Sequence, residues 1–217
     1  MIKDMNTVAG LAGRMHGARA REVEAFRRYW SAMRKGGLVP RRSDIDPRGI
    51  EPLLAEAFVA ERIAPGLARL RIAGNHLSDL MGMEVRGMPL SSFLLPADRD
   101  RLADLLVDVF DAPATIDLRL TAEARPGQAP LTGRMVLMPL RSDLGDISRA
   151  LGCLVTDGPL GRAPRRFAIT SSKVDVVTMR HGALSGTAST ERKTLAMSPA
   201  QAPSRSERPY LQLVKSD

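Results

Sequence analysis

The 217-residue chain is poor in the side chains that most chemistry needs. It has one cysteine, three histidines and one tryptophan, and aromatic residues make up only 4% of it. A single cysteine, Cys153, excludes an internal disulfide. Its neighbours from Leu151 to Val155 read as a buried strand, so an inert core thiol is expected. His16, His76 and His181 fall in a helix start, a cap region and the tail. None has a Cys, Ser or carboxylate at a spacing that builds a catalytic pair or a metal site. A Gly-x-Ser-x-Gly elbow, a Gly-rich phosphate loop and a His-Glu-x-x-His pair are all absent from the sequence. No apolar run approaches the roughly 20 residues of a membrane-spanning helix. Met1 to Gly13 carries only a short apolar patch behind Asp4, which makes a poor signal peptide. These absences predict a cytoplasmic protein that is not an enzyme.

Apolar residues are nonetheless plentiful at 44%, so the core is built from Leu, Val, Ile, Ala and the 11 Met. Methionine fills irregular gaps and suits either a plastic pocket or an ordinary core. The net charge of +8 is unevenly placed. Gly158 to Asp217 holds ten Lys and Arg against four Asp and Glu, while the preceding part is nearly balanced. A basic tail can meet nucleic acid, anionic lipid or an acidic protein, or can simply be solvated.

Periodicity predicts a helix from about Gly17 to Lys35, with Val23, Phe26, Trp30 and Met33 on one face and Gly36-Gly37 as its stop. Pro40, Pro47 and Pro52 then interrupt regular structure. Leu54 to Ile63 and Ala68 to Gly74 read as strands around a Pro65-Gly66 turn. In the second, Leu70 and Ile72 are expected on one buried face. Asn75 is placed to cap the next helical turn with its side-chain oxygen. Pro96 opens a longer helix, striped by Leu102, Leu105, Leu106, Val109 and Phe110 and ended by Pro113. Thr115 to Thr121 alternates strictly, and Leu131 to Leu140 and Ala150 to Thr156 complete five strands. Five antiparallel strands with helices on one face, preceded by an amphipathic helix, is an α+β architecture. The expected organisation is an N-terminal helix and connector over 1–49, a domain over 50–169 and a basic, mostly disordered tail over 170–217. That tail is too poor in large apolar residues to offset its ordering entropy.

Several short elements lie along this frame in a distinctive order. Tyr29-Trp30 is followed, nine residues on, by Pro40-Arg41-Arg42-Ser43-Asp44-Ile45-Asp46-Pro47. Then come Leu70 to Gly74, Asn75 to Gly82, Gly87 to Phe93, Pro96-Ala97-Asp98-Arg99 and Met138-Pro139-Leu140-Arg141. From about Ala25 to Phe167 this order resembles the PAS sensory-domain family, and within it a PAS-like family of alphaproteobacteria. In that family an Asn follows a strand, a Gly ends a short helix, and a Pro-x-Asp-Arg opens the long helix. The resemblance implies a protein that senses or docks. Departures from its cofactor-binding members leave no cofactor expected, and either a small apolar ligand or no ligand at all. Flavin-binding relatives use a Cys in the helical segment after the second strand, and Asn75 to Leu95 has none. Haem-binding ones place a His on the long helix, and Pro96 to Asp111 has none.

Two sets of residues follow as candidates. A pocket, if one is present, takes Leu77, Leu80, Met81, Met88, Phe93 and Leu106, with Met135 and Leu137 across the sheet; the same residues equally suit core filling. Val23, Phe26, Trp30 and Met33 suit either a helix that covers its own sheet or a homodimer face. Asp44 and Asp46, flanked by Arg41, Arg42 and Arg48, read as turn and surface ion-pair residues, not as a catalytic pair. The expected function is regulation through contact with an unidentified protein partner in trans. The rival is a nucleic-acid-associated regulator that uses the basic tail.

Overall fold

The structure, a computed structural model, describes residues 19–35, 37–122 and 131–179. Helix α1 covers residues 19–33 and ends with Lys35 in the left-handed region at φ 44°. The connector forms two 3-10 turns, Arg42–Asp44 and Pro47–Leu53. Strands β1 (Ala57–Ala64) and β2 (Leu67–Ala73) follow, then helix α2 (Asn75–Met81). Two further 3-10 turns lead into helix α3 (Arg99–Asp111), with Pro96 at the first position of the second turn. Strands β3 (Ala114–Ala122), β4 (Thr132–Leu140), β5 (Arg149–Asp157) and β6 (Phe167–Val176) complete the fold.

All six strands join one antiparallel sheet in the order β2-β1-β5-β4-β3-β6. Pleating divides β4 cleanly. Met135 and Leu137 enter the core under α2 and α3, whereas Val136, Met138 and Leu140 enter a second core under α1. Both faces of β4 and β5 are therefore covered, which is why these strands read as continuous apolar runs. Gly152 sits in β5 beneath the Phe58 ring, where a Cβ would come within 2.4 Å of it.

The sheet has one strand more than expected. β6 runs through Val176, so the boundary drawn at 169/170 falls inside a strand. Phe167 and Ile169 anchor it in the core. Thr170 is an extra residue opposite Arg119 and Leu120, and its hydroxyl donates to the Arg119 carbonyl at 3.0 Å. Beyond that bulge, pairing with β3 continues to Val176 opposite Ala114. Backbone pairing, not side-chain burial, carries this polar stretch, and composition does not register it. Residues 1–18, 123–130 and 180–217, including the rest of the expected tail, lie outside the described residues.

A second bulge lies in β2. Ile72 pairs with Val59 and Leu70 with Ala60, which leaves Arg71 as the extra residue. A bulge reverses the alternation of side chains beyond it. Leu70 is fully buried under α3's side of the sheet, but Ile72 is turned to the other face and is 52% exposed. The expectation that both share a buried face fails at this residue.

Candidate functional site

The candidate pocket residues do meet. α2 presents Leu77, Leu80 and Met81 at helical spacing, a 3-10 turn presents Phe93, α3 presents Leu106, and β4 presents Met135 and Leu137. All seven are buried in one cluster, with Met88 partly buried against it. None of the cavities described below is lined by these side chains. They fill the core. α2 is capped at its start by Gly74 without a side-chain bond, so Asn75 is the first helical residue and not the cap. It ends at Gly82, whose φ of 70° is the left-handed geometry that glycine adopts without strain.

Val23, Phe26, Trp30 and Met33 cover this chain's own sheet. They are 0–8% exposed within a single chain, packed on Ile50, Val136, Met138, Leu151 and Cys153. An amphipathic stripe reports that a helix is covered, but not by what. Ion pairs fix α1 on the sheet. The Arg134 guanidinium bonds both carboxylate oxygens of Asp117, at 2.9 and 3.1 Å, and reaches Glu24 of α1 at 2.9 Å. The Asp117 bonds lead the effects that hold Arg134 above its usual pKa. Arg27 of α1 bridges Asp117 on β3 and Asp175 on β6, each at 3.2 Å. Arg34 donates to the Thr178 carbonyl just beyond β6.

The Asp-Ile-Asp-Pro element is a turn clamp. Asp44 accepts the Arg41 backbone N–H at 2.9 Å, and Asp46 accepts that of Arg48 at 3.0 Å. The Tyr29 hydroxyl donates to the Asp46 carbonyl and accepts its N–H, at 3.0 and 2.7 Å. The Tyr29 ring lies on Gly49, where any Cβ would come within 2.1 Å of it. These contacts give both aspartates structural partners.

Held in this way, the connector walls a groove on the α1 side of the sheet, beside α1 but not lined by it. The cavity is about 520 Å³. Arg42, Ser43, Ile45, Pro47, Ile50 and Leu54 line it from the connector, Ala57, Phe58 and Val59 from β1, Ile72 from β2 and Leu151 from β5. Leu54 and Ile72 are about half exposed. Arg42, Ser43, Ile45 and Pro47 come from the Pro40–Pro47 element and Ile72 from the Leu70–Gly74 element. Ile72 reaches the groove through the bulge, which the sequence does not announce.

Among the described residues no three His, Cys, Asp or Glu converge on a point that could hold a metal ion. His76 shares a 3.0 Å hydrogen bond with Thr156. Burial holds its pKa below the usual 6.5, with Glu56 opposing and Arg19 assisting. Glu56 is itself buried and paired with Arg19 at 2.8 Å. Cys153 lies under α1, on the opposite face from α2, and burial pushes its thiol up to about 12.

No curated protein matches the chain. Solved structures with a similar arrangement include the light state of the blue-light photoreceptor Aureochrome1 LOV, at 12% identity and TM-score 0.34, over 50% of this chain and 85% of that one. Another is an RNA-binding Light-Oxygen-Voltage receptor, at 19% identity and TM-score 0.36, over 55% of this chain and 34% of that one. The family model of the PAS domain matches residues 18–155, from the start of α1 into β5 and over more than half of the sequence. By that match, the chain belongs to the PAS domain family.

Proposed function

We propose that this PAS protein is a cytoplasmic, non-catalytic regulator whose output is a contact with a separate protein. The observation that supports the reading is the sixth strand. Its inner edge pairs with β3 throughout. Among the described residues, its outer edge takes a backbone hydrogen bond only at Phe167, from Leu95, and a side-chain bond at Ile169, from Arg101. Val174, Val176 and Met179 are exposed along and just beyond this edge, Val176 by 69%. An open strand edge with apolar side chains is a template for an added strand from another chain. The closer kinship with the alphaproteobacterial PAS-like group rests on the Asp-Ile-Asp-Pro element.

The test is affinity purification of the full chain beside a V174K/V176K variant, with the fold checked by Trp30 fluorescence. A protein recovered in stoichiometric amount with the native chain and lost with the variant supports the reading. Recovery of the same proteins by both, or of none after cross-linking, overturns it. The charge skew favours a second reading, a nucleic-acid-associated regulator that uses the basic tail. That reading requires binding to random-sequence RNA or DNA that weakens steeply with salt and disappears when residues 180–217 are removed.

A further inference from the structure

The groove between the connector and β1–β2 has two chemically different kinds of lining. Its walls are chiefly aliphatic, from Ile45, Leu54, Val59 and Ile72, and its volume of about 520 Å³ lies in the range of small-molecule sites, about 300–1,000 Å³. Arg42 and Ser43, from the first 3-10 turn, supply the polar part of the lining. The Arg42 backbone N–H bonds the Arg141 carbonyl at 2.8 Å, and Arg41 pairs with Arg141 in a parallel bridge. Two separate sequence motifs thereby bring three arginines together. Among the described residues none of the three has an ion-pair partner. Nearby Arg149 is paired with Glu61. Arg149 lies opposite Leu140, the neighbour of Arg141, and burial, then the charge of Arg42, holds it below its usual pKa. Three arginines against the one nearby carboxylate of Asp44, which accepts the Arg41 backbone N–H, leave net positive charge beside an open aliphatic trough, a combination that suits an anionic amphiphile.

We propose that this groove binds a long-chain aliphatic carboxylate, with the chain along Ile45, Leu54 and Ile72 and the carboxylate on Arg42 and Ser43. The site lies on the opposite face of the sheet from the packed core under α2 and α3. It is also at the far end of the sheet from β6, so its failure would leave the partner-contact reading untouched. Bidentate recognition suits a guanidinium and a carboxylate. Each methylene that reaches the trough should tighten binding by up to about fourfold, the factor that corresponds to burial of one CH₂.

The test is calorimetric titration of the full chain with decanoate and dodecanoate below their micellar concentrations. Dodecyltrimethylammonium serves as the opposite-charge control. The expected result is saturable 1:1 binding, about tenfold tighter for dodecanoate than for decanoate and absent for the cation. R42Q should weaken dodecanoate about tenfold, and I72E, at an already exposed position, should abolish binding while Trp30 emission stays native. Failure to bind dodecanoate, equal binding by I72E, or equal binding of the cation overturns the proposal. So does binding to anionic phospholipid vesicles without binding to free dodecanoate.

Discussion

The indole N–H of Trp30 donates to the backbone carbonyl of Pro139 at 2.9 Å, in the buried layer between α1 and the sheet. The bond gives a large apolar side chain the polar partner it needs once it leaves water. The Arg34 guanidinium lies over the same ring at 5.7 Å from its centroid. Trp30 thus joins the first described helix to the middle of the sheet.

Loss of that ring should be costly. Trp30→Ala is expected to lower stability by about 3–5 kcal/mol, as for a buried aromatic. Trp30→Phe should cost less, because it keeps most of the packing but leaves the Pro139 carbonyl without its donor. Urea denaturation followed by circular dichroism measures both. Phe26→Glu should behave as a core lesion and unfold α1 from the sheet. A folded monomer produced by Phe26→Glu from a wild-type dimer, seen by sedimentation, would contradict this assignment.

Asp117 serves two cations at once. Asp117→Asn leaves Arg27 and Arg134 facing a neutral amide in a partly buried site, with an expected loss of roughly 2–3 kcal/mol. Adding Arg134→Gln should recover part of that loss, because it removes the charge left without its partner. Additive effects in the double-mutant cycle would show that the two residues are not coupled.

His76 sets a pH dependence with a definite sign. Burial favours the neutral imidazole in the folded state, so its folded pKa lies below 6.5. The unfolded chain therefore takes up the proton first as pH falls. This contribution is fully present above about 6.5. It declines as pH drops through that value and levels off once folded His76 protonates. Unfolding free energies between pH 8 and 5 should show the decline, and His76→Gln should flatten it. An NMR titration midpoint above 6.5 for His76 would reverse the argument.

Cys153 should resist chemistry. A thiol pushed up to about 12 and fully buried has almost no thiolate at neutral pH. Ellman's reagent is expected to react with native protein only as fast as the protein opens, and within seconds in denaturant. Immediate stoichiometric reaction of the native chain would show that the α1 layer is not closed.

Much of the frame was legible because its signals are local. Strict alternation in Thr115–Thr121 marks β3, and the Leu102–Phe110 stripe marks α3, each to within a few residues. The polar turn chemistry of Asp44 and Asp46 was equally visible. What escaped depends on partners distant in sequence. β6 carries Ser171, Ser172 and Lys173, and nothing in that run signals a strand until β3 is beside it. The Val23–Met33 stripe reads equally as a dimer seam or a sheet cover, and its seat on the sheet shows only in contacts distant in sequence, with Val136, Leu151 and the Pro139 carbonyl. The groove was not legible, because Ile72 follows its neighbours' alternation in sequence and departs from it in space.

The Arg71 bulge makes the groove a matter of parity rather than of composition. Ile72 faces the groove because it, and not Arg71, lies opposite Val59. If Arg71 took that place, as a strand without the bulge would have it, Ile72 would fall opposite Phe58, turn inward and leave a guanidinium on the groove floor, with no change of sequence. Deletion of Arg71, by contrast, would make Ile72 the next residue after Leu70 and leave it on the groove face. Residue identity along β2 is therefore a poor guide to whether the surface exists, and the pairing register of Ile72 is a good one.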